Sequence, residues 1–135
     1  MIKIRGLDHL VLRVRDVERM RRFYCEVLGC SPEREQAELG LFQLRAGNAL
    51  IDLISLEGKL GAAGGAAPGP EGRNLDHFCL RLESFDEAQI RAHLLQHGLE
   101  AGKLESRYGA EGEGPSIYLC DPEGNGVELK GPPAR

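Results

Sequence analysis

The sequence predicts an α+β protein made of two tandem βαβββ modules. Three observations carry that expectation. The segment "LDHLVLRV" from Leu7 returns as "LDHFCLRL" from Leu75, with Leu-Asp-His opening both copies and Leu-Arg near the end of both. Each copy is followed by a stretch of helical periodicity. Each half then closes on a strand pattern that holds one carboxylate between apolar neighbours: Asp52 in "ALIDLI" and Glu128 in "GVELK". Self-similarity at a fixed offset is the mark of one supersecondary unit used twice.

In the first copy Leu10, Leu12 and Val14 alternate with His9, Val11 and Arg13, as in a strand with one core face. "DVERMRRFYCEVLGC" reads as a helix. Asp16 is its N-cap, Met20, Phe23, Tyr24, Val27 and Leu28 recur at helical spacing, and Gly29 stops it. A strand around "SPEREQAEL" is poorly defined. "LGLFQLRAG" and "NALIDLISL" are strands about a Gly47-Asn48 turn. "GKLGAAGGAAPGPEGRN" has no apolar period and reads as a linker, either a spacer or a lid whose Arg73 meets an anion.

The second copy restarts the order. "SFDEAQIRAHLLQHG" is a helix with Ser84 as N-cap and Glu87 completing a capping box. Ala88, Ile90, Leu94 and Leu95 form its apolar face, and Gly98 ends it. "KLESRYG", "PSIYLCD" and "GVELKG" are three strands, with the turn "DPEGN" between the last two. The expected organisation is a module over 1–57, a Gly/Ala/Pro-rich linker over 58–73 and a module over 74–131, one domain overall. A lone module leaves one sheet face bare. Two of them are expected to form a curved mixed sheet, a cup around a shared site.

The chain has 135 residues and a formal charge of −4, with no basic block, so nucleic acid is not an expected partner. No run approaches the roughly 20 apolar residues that cross a bilayer. The start lacks the pattern of a secretory leader, so a cytoplasmic location is expected. The cysteines Cys25, Cys30, Cys79 and Cys120 form no CxxC pair and read as buried reduced thiols.

His9 and His77 hold equivalent places on the strand face opposite the core leucines. Asp52 lies between Ile51 and Leu53, and Glu128 between Val127 and Leu129, so each acid faces away from the core. The repeat thus relates four residues. Two imidazoles and two carboxylates suit a borderline divalent ion such as Zn, Ni, Mn or Fe. Asp8 and Asp76 also repeat, but alternation assigns them to the opposite face. His93 and His97 stand one helical turn apart with no third ligand and read as surface residues.

The segments "LDHLVLRVRDVERMRRFYCEVLGC" and "YLCDPEGNGVELKG" resemble the vicinal oxygen chelate superfamily, which includes glyoxalase I, bleomycin-resistance proteins, extradiol dioxygenases and fosfomycin-resistance enzymes. The resemblance spans essentially the whole chain. It implies metal ligation by His9, Asp52, His77 and Glu128. It also implies a lyase or isomerase of glyoxalase type, in which a small substrate places two adjacent oxygens on the metal and passes through an enediolate. Glu128 and Asp52 are the rival bases, and Glu128 is favoured for its longer side chain. Arg13 matches a glyoxalase I arginine that helps hold glutathione, whereas the asparagine usual after the first acid has no counterpart in "DLISLEG". Arg13 and Arg81, and further along Arg107 and Lys130, favour an anionic substrate. Two other functions compete: an Fe(II) extradiol-type dioxygenase using His9, His77 and Glu128, and a non-catalytic drug- or metabolite-binding protein. A homodimer is expected, with the site built within one chain or shared between two.

Overall fold

A computed structural model describes residues 1–134. The chain divides into two compact units, one from Met1 to Asn74 and one beginning at Leu75. The segment 58–73 therefore belongs with the first unit.

The first unit runs β1 (His9–Val14), α1 (Val17–Arg22), a π turn (Phe23–Val27), β2 (Ser31–Gln36), a 3₁₀ turn (Ala37–Leu39), β3 (Leu41–Ala46), β4 (Ala49–Ser55) and a short α2 (Lys59–Ala62). The second runs β5 (His77–Arg81), α3 (Glu87–Gln96), β6 (Glu105–Gly109), β7 (Gly112–Cys120) and β8 (Gly126–Lys130). Each unit holds a four-stranded mixed sheet, and the two orders match: β1-β4-β3-β2 and β5-β8-β7-β6. The first strand of each module lies at an edge, parallel to the last strand, and the other pairings are antiparallel. The architecture is the α+β tandem repeat that the sequence predicts.

Side-chain alternation builds the two cores. Leu12, Val14, Leu44, Ile51 and Leu53 are buried in the first unit with Met20, Phe23 and Tyr24 of the helical segment. Ile117, Leu119, Val127 and Leu129 are buried in the second with Leu94 of α3. Each such side chain contributes about 1.5–3 kcal/mol by leaving water.

Several local expectations need correction. Asp16 caps α1, accepting from the Arg19 amide at 3.0 Å, but the helix widens to a π turn at Phe23. The wider turn brings the neighbours Phe23 and Tyr24 both inside, edge to face at 5.0 Å. The cap of α3 is Asp86, not Ser84. Asp86 has extended backbone and accepts from the Gln89 amide at 3.1 Å, and the helix starts only at Glu87. Of that helix's expected apolar face only Leu94 is buried, and Leu95 is 67% exposed. The ill-defined segment after α1 forms β2, an exposed edge strand whose register shifts between Pro32 and Arg34. An edge tolerates proline because no ladder bond is asked of its nitrogen. Among the cysteines only Cys30 is buried, while Cys79 and Cys120 are exposed. Cys79 shares the strand face of His77 and Arg81 rather than that of the core.

Two loops set the strands in place. In the turn before β8, Asp121 accepts from the backbone amides of Glu123 and Asn125 at 2.9 and 3.0 Å, and the Asn125 side-chain amide also donates to it at 2.8 Å. The glycine-rich segment after β4 folds against β1. Gly61 approaches so closely that a Cβ there would lie 1.9 Å from the Ser55 carbonyl oxygen. The Arg13 guanidinium donates to the carbonyls of Gly61, Gly65 and Ala66 at 2.8–3.2 Å. The Asn74 amide closes the segment by donating to the Arg13 carbonyl at 2.9 Å.

Candidate functional site

The strand registers place the expected site residues in two matching sets. In the first unit His9 is opposite Leu50 across the parallel β1–β4 pair, and Asp52 follows two residues on. In the second His77 is opposite Gly126, and Glu128 follows two residues on. Each histidine and its acid therefore lie on one sheet face, one step apart. Asp52 and Glu128 are nearly buried, at 4% and 6% exposure, although each sits on the side away from the apolar core. Gly126 lets His77 approach, since a Cβ there would meet the His77 Cβ at 2.9 Å.

The second unit closes its pair. His77 Nε2 lies 3.3 Å from Glu128 Oε1. The other Glu128 oxygen accepts from the hydroxyl of fully buried Ser116 at 2.7 Å. The Tyr118 hydroxyl lies 3.3 Å from His77 Nε2 and also bonds to Glu128. The Arg107 guanidinium stacks 4.5 Å above the Tyr118 ring and donates to the Ser116 carbonyl at 3.1 Å. Burial pushes the Glu128 pKa up, but the Ser116 and Tyr118 bonds and the charges of His77 and Arg107 outweigh it, so the carboxyl is held below its usual range. Glu128 is thus ionised at neutral pH. Burial, then the Glu128 charge, pushes the neighbouring Cys79 thiol up to about 11, so it is protonated there.

The first unit leaves its pair open. Asp52 is bound by the Gln43 side-chain amide, 3.3 Å from each oxygen. Gln43 pairs with Asp52 in register as Tyr118 pairs with Glu128. The shorter aspartate engages its β3 neighbour and reaches His9 only through its charge. The His9 pKa is raised, first by the hydrogen bond that its ring donates to Asp8 and then by the Asp52 charge.

The two arginines expected to bind substrate are both engaged. Arg13 commits four of its five donors to loop carbonyls. Arg81 pairs with Glu111 at 2.8 Å and bonds to the Leu82 carbonyl. Arg81, Glu111, Glu128, Lys130, Tyr108 and Cys79 line a cavity in the second unit. Lys130 is almost buried there, its ammonium group on the carbonyls of Arg107 and Gly114.

A metal can be tested against these donors. Adjacent ligands on a six-coordinate ion with bonds near 2.1 Å lie about 3 Å apart. The His77–Glu128 spacing of 3.3 Å fits that bite, and the nitrogen–carboxylate pairing suits a borderline ion. Among the described residues no group of three or more His, Cys, Asp or Glu side chains stands ready to hold a metal. Each unit offers a pair.

Sequence reasoning missed Gln43, Ser116 and Tyr118. All three lie on β3 or β7, and their relation to the acids depends on strand register, which the sequence carries only implicitly.

Comparison with known proteins fits this geometry. Residues 6–129 match the family model of the Glyoxalase/Bleomycin resistance protein/Dioxygenase superfamily. The chain belongs to this superfamily. Among curated superfamily relatives, it is 32% identical over 127 residues to a Bacillus subtilis protein called catechol-2,3-dioxygenase. That match covers 91% of this chain but 40% of the Bacillus protein, so the chain spans about two fifths of that relative's length. It is 33% identical to the Salmonella typhimurium virulence protein STM3117, covering 91% of this chain and 81% of that one. The crystal structure of STM3117 superposes with a TM-score of 0.79 over 96% of this chain and 98% of that one. An integron cassette protein from Vibrio cholerae superposes at 0.76, with 28% identity, over 97% of this chain and 98% of that one. Superfamily members bind small molecules and commonly carry divalent metals. Among the described residues no helix is long and apolar enough to cross a membrane.

Proposed function

We propose that this superfamily member is a metal-dependent enzyme of glyoxalase type, a lyase or isomerase acting on a small molecule with two adjacent oxygens. The observation that supports this best is the pairing of His77 with a buried, ionised Glu128 at 3.3 Å, repeated in register by His9 and Asp52. His9, His77 and Glu128, with Asp52 as the fourth donor, would hold the ion. A bound divalent ion supplies Lewis-acid stabilisation of negative charge developing on the substrate oxygens. The chain's own contribution is proton movement. Glu128 is ionised and can accept a proton from one oxygen-bearing carbon and return it to the adjacent oxygen-bearing carbon. Ser116 keeps one carboxylate oxygen fixed, and the other would move the proton once detached from the ion. The cavity beside Glu128 gives a small molecule access to it.

Replacing Glu128 with Gln removes the base and keeps its shape. Turnover of 2-oxoaldehydes, assayed with and without thiols, is expected to fall by at least about a thousandfold, the scale of general-base catalysis, while metal content measured by atomic emission stays within severalfold. Full activity in Glu128→Gln would sink the assignment.

A second reading is an Fe(II) extradiol-type dioxygenase. It is favoured by Asp52 being held by Gln43, which leaves His9, His77 and Glu128 as a two-histidine, one-carboxylate set. The Bacillus relative's name points the same way. Oxygen uptake with catechols by the iron-loaded protein separates the two.

A further inference from the structure

The repeated "LDH" places an acid directly before each site histidine. Alternation along a strand would send the acid and the imidazole to opposite faces. Both strands, however, begin at the histidine itself, so Asp8 and Asp76 stand just outside them. Each carboxylate turns onto its neighbour's ring: Asp8 Oδ2 lies 2.8 Å from His9 Nδ1, and Asp76 Oδ2 lies 2.6 Å from His77 Nδ1. The same contact, on the same ring nitrogen, occurs in both modules.

An ionised carboxylate can only accept. Each Nδ1 must therefore carry the proton it donates, and Nε2 of a neutral ring is left with its lone pair. In the second unit that lone pair points where it would be used. Nε2 is the atom facing Glu128 Oε1 and the Tyr118 hydroxyl, both at 3.3 Å. When the ring is neutral, that lone pair would be available with Glu128 as a donor to a cation.

We propose that Asp8 and Asp76 are positioning residues for a divalent metal, each holding the Nδ1 proton of the adjacent histidine so that Nε2 is the donor atom. This rests on the metal-dependent reading above. A carboxylate behind a metal-bound imidazole fixes the tautomer and the ring orientation and raises the basicity of the ligating nitrogen. Loss of such a partner commonly costs about 10- to 100-fold in affinity. Both aspartates are largely exposed, with side chains 91% and 78% accessible, so their replacement leaves the cores intact.

The test uses the metal-free full chain with Zn(II) alone as probe. Nitrogen-15 NMR of the imidazoles, taken above the histidine titration range, reads the tautomers, and competitive titration reads Zn(II) affinity. In the parent protein His9 and His77 are expected with protonated Nδ1 and bare Nε2. Asp8→Ala and Asp76→Ala should each shift their own histidine toward a tautomer mixture and weaken Zn(II) about 10- to 100-fold. Asp76→Asn, whose amide oxygen still accepts from Nδ1, should recover part of the loss. If the parent binds Zn(II) and His77→Ala abolishes binding, yet both alanine variants keep tautomer and affinity, the positioning role is wrong and the metal reading survives. A parent protein that binds no Zn(II) overturns both together.

Discussion

At the residue scale the chemistry centres on Glu128. A carboxylate that leaves water inside a sheet must be compensated by donors, and Ser116, Tyr118, His77 and Arg107 provide that compensation. Its lowered pKa links to stability with a definite sign. The contribution is fully present above the unfolded glutamate value of about 4.3. It is lost as pH falls through the lower value of the folded state. Urea denaturation of the metal-free protein at stepped pH should show this loss, and Glu128→Gln should flatten the curve over the same interval. Ser116→Ala removes a fully buried donor to the charged oxygen and should cost about 1.5–3 kcal/mol at pH 7, most of which vanishes once Glu128 is protonated. An unchanged pH profile in Ser116→Ala would show that the hydroxyl does not hold the charge. These partners were not legible from the sequence: "PSIYLCD" is an ordinary strand string until register sets Tyr118 opposite Glu128. The acids themselves were legible, because Asp52 and Glu128 interrupt apolar runs. Alternation assigns Asp8 and Asp76 to the opposite face, but both stand just outside the strands, and a two-residue period says nothing about where a strand starts.

At the scale of elements, the most consequential unit is the glycine-rich stretch after β4, clasped by Arg13. Composition marked it as a linker, and nothing in a run of Gly, Ala and Pro announces a partner. The partner is a guanidinium on β1 whose planar fork meets three carbonyls at once. Gly64 is part of the fit, because a Cβ there would come within 2.5 Å of that guanidinium. Lysine carries a similar charge but no fork. Arg13→Lys should therefore loosen the segment without unfolding the sheet. Trypsin cleavage after Lys59 or Arg73 is expected to accelerate several-fold while circular dichroism stays unchanged, and equal cleavage rates would show that the clasp does not hold the loop. The helices teach a related lesson. Asp16 was readable as a cap because one acid precedes one apolar period. For α3 the capping-box pattern points to Ser84, yet the cap is Asp86, which has extended backbone and directly precedes the first turn. β2 gave no clear pattern because none of its side chains is buried, so only backbone pairing defines it.

At the scale of the whole molecule the duplicated topology was the most readable feature, because the same segment recurs with its histidine and its closing acid in place. Two like-ordered sheets follow from two like sequences. If each module contributes a ligand pair, metal binding stabilises the folded chain by mass action and needs both modules. Zn(II) or Mn(II) at a hundred times its dissociation constant should add about 2.7 kcal/mol of unfolding free energy. Calorimetry should find a higher melting temperature for the loaded protein, and the increment should shrink in His9→Ala as well as in His77→Ala. An increment untouched by His9→Ala would place the ion on the second module alone.

The nearly buried amine of Lys130 has one last consequence. Its methylenes run beneath Gly109 and Gly114, where added Cβ atoms would fall 2.8 Å from Lys130 Cε and 3.2 Å from Nζ. Acylating reagents need an accessible nitrogen, so the native protein should label at Lys3, Lys59 and Lys103 well before Lys130. Mass spectrometry of partly acetylated chains would then report opening of the second sheet as late modification at a single site, a chemical clock for the strand that carries Glu128.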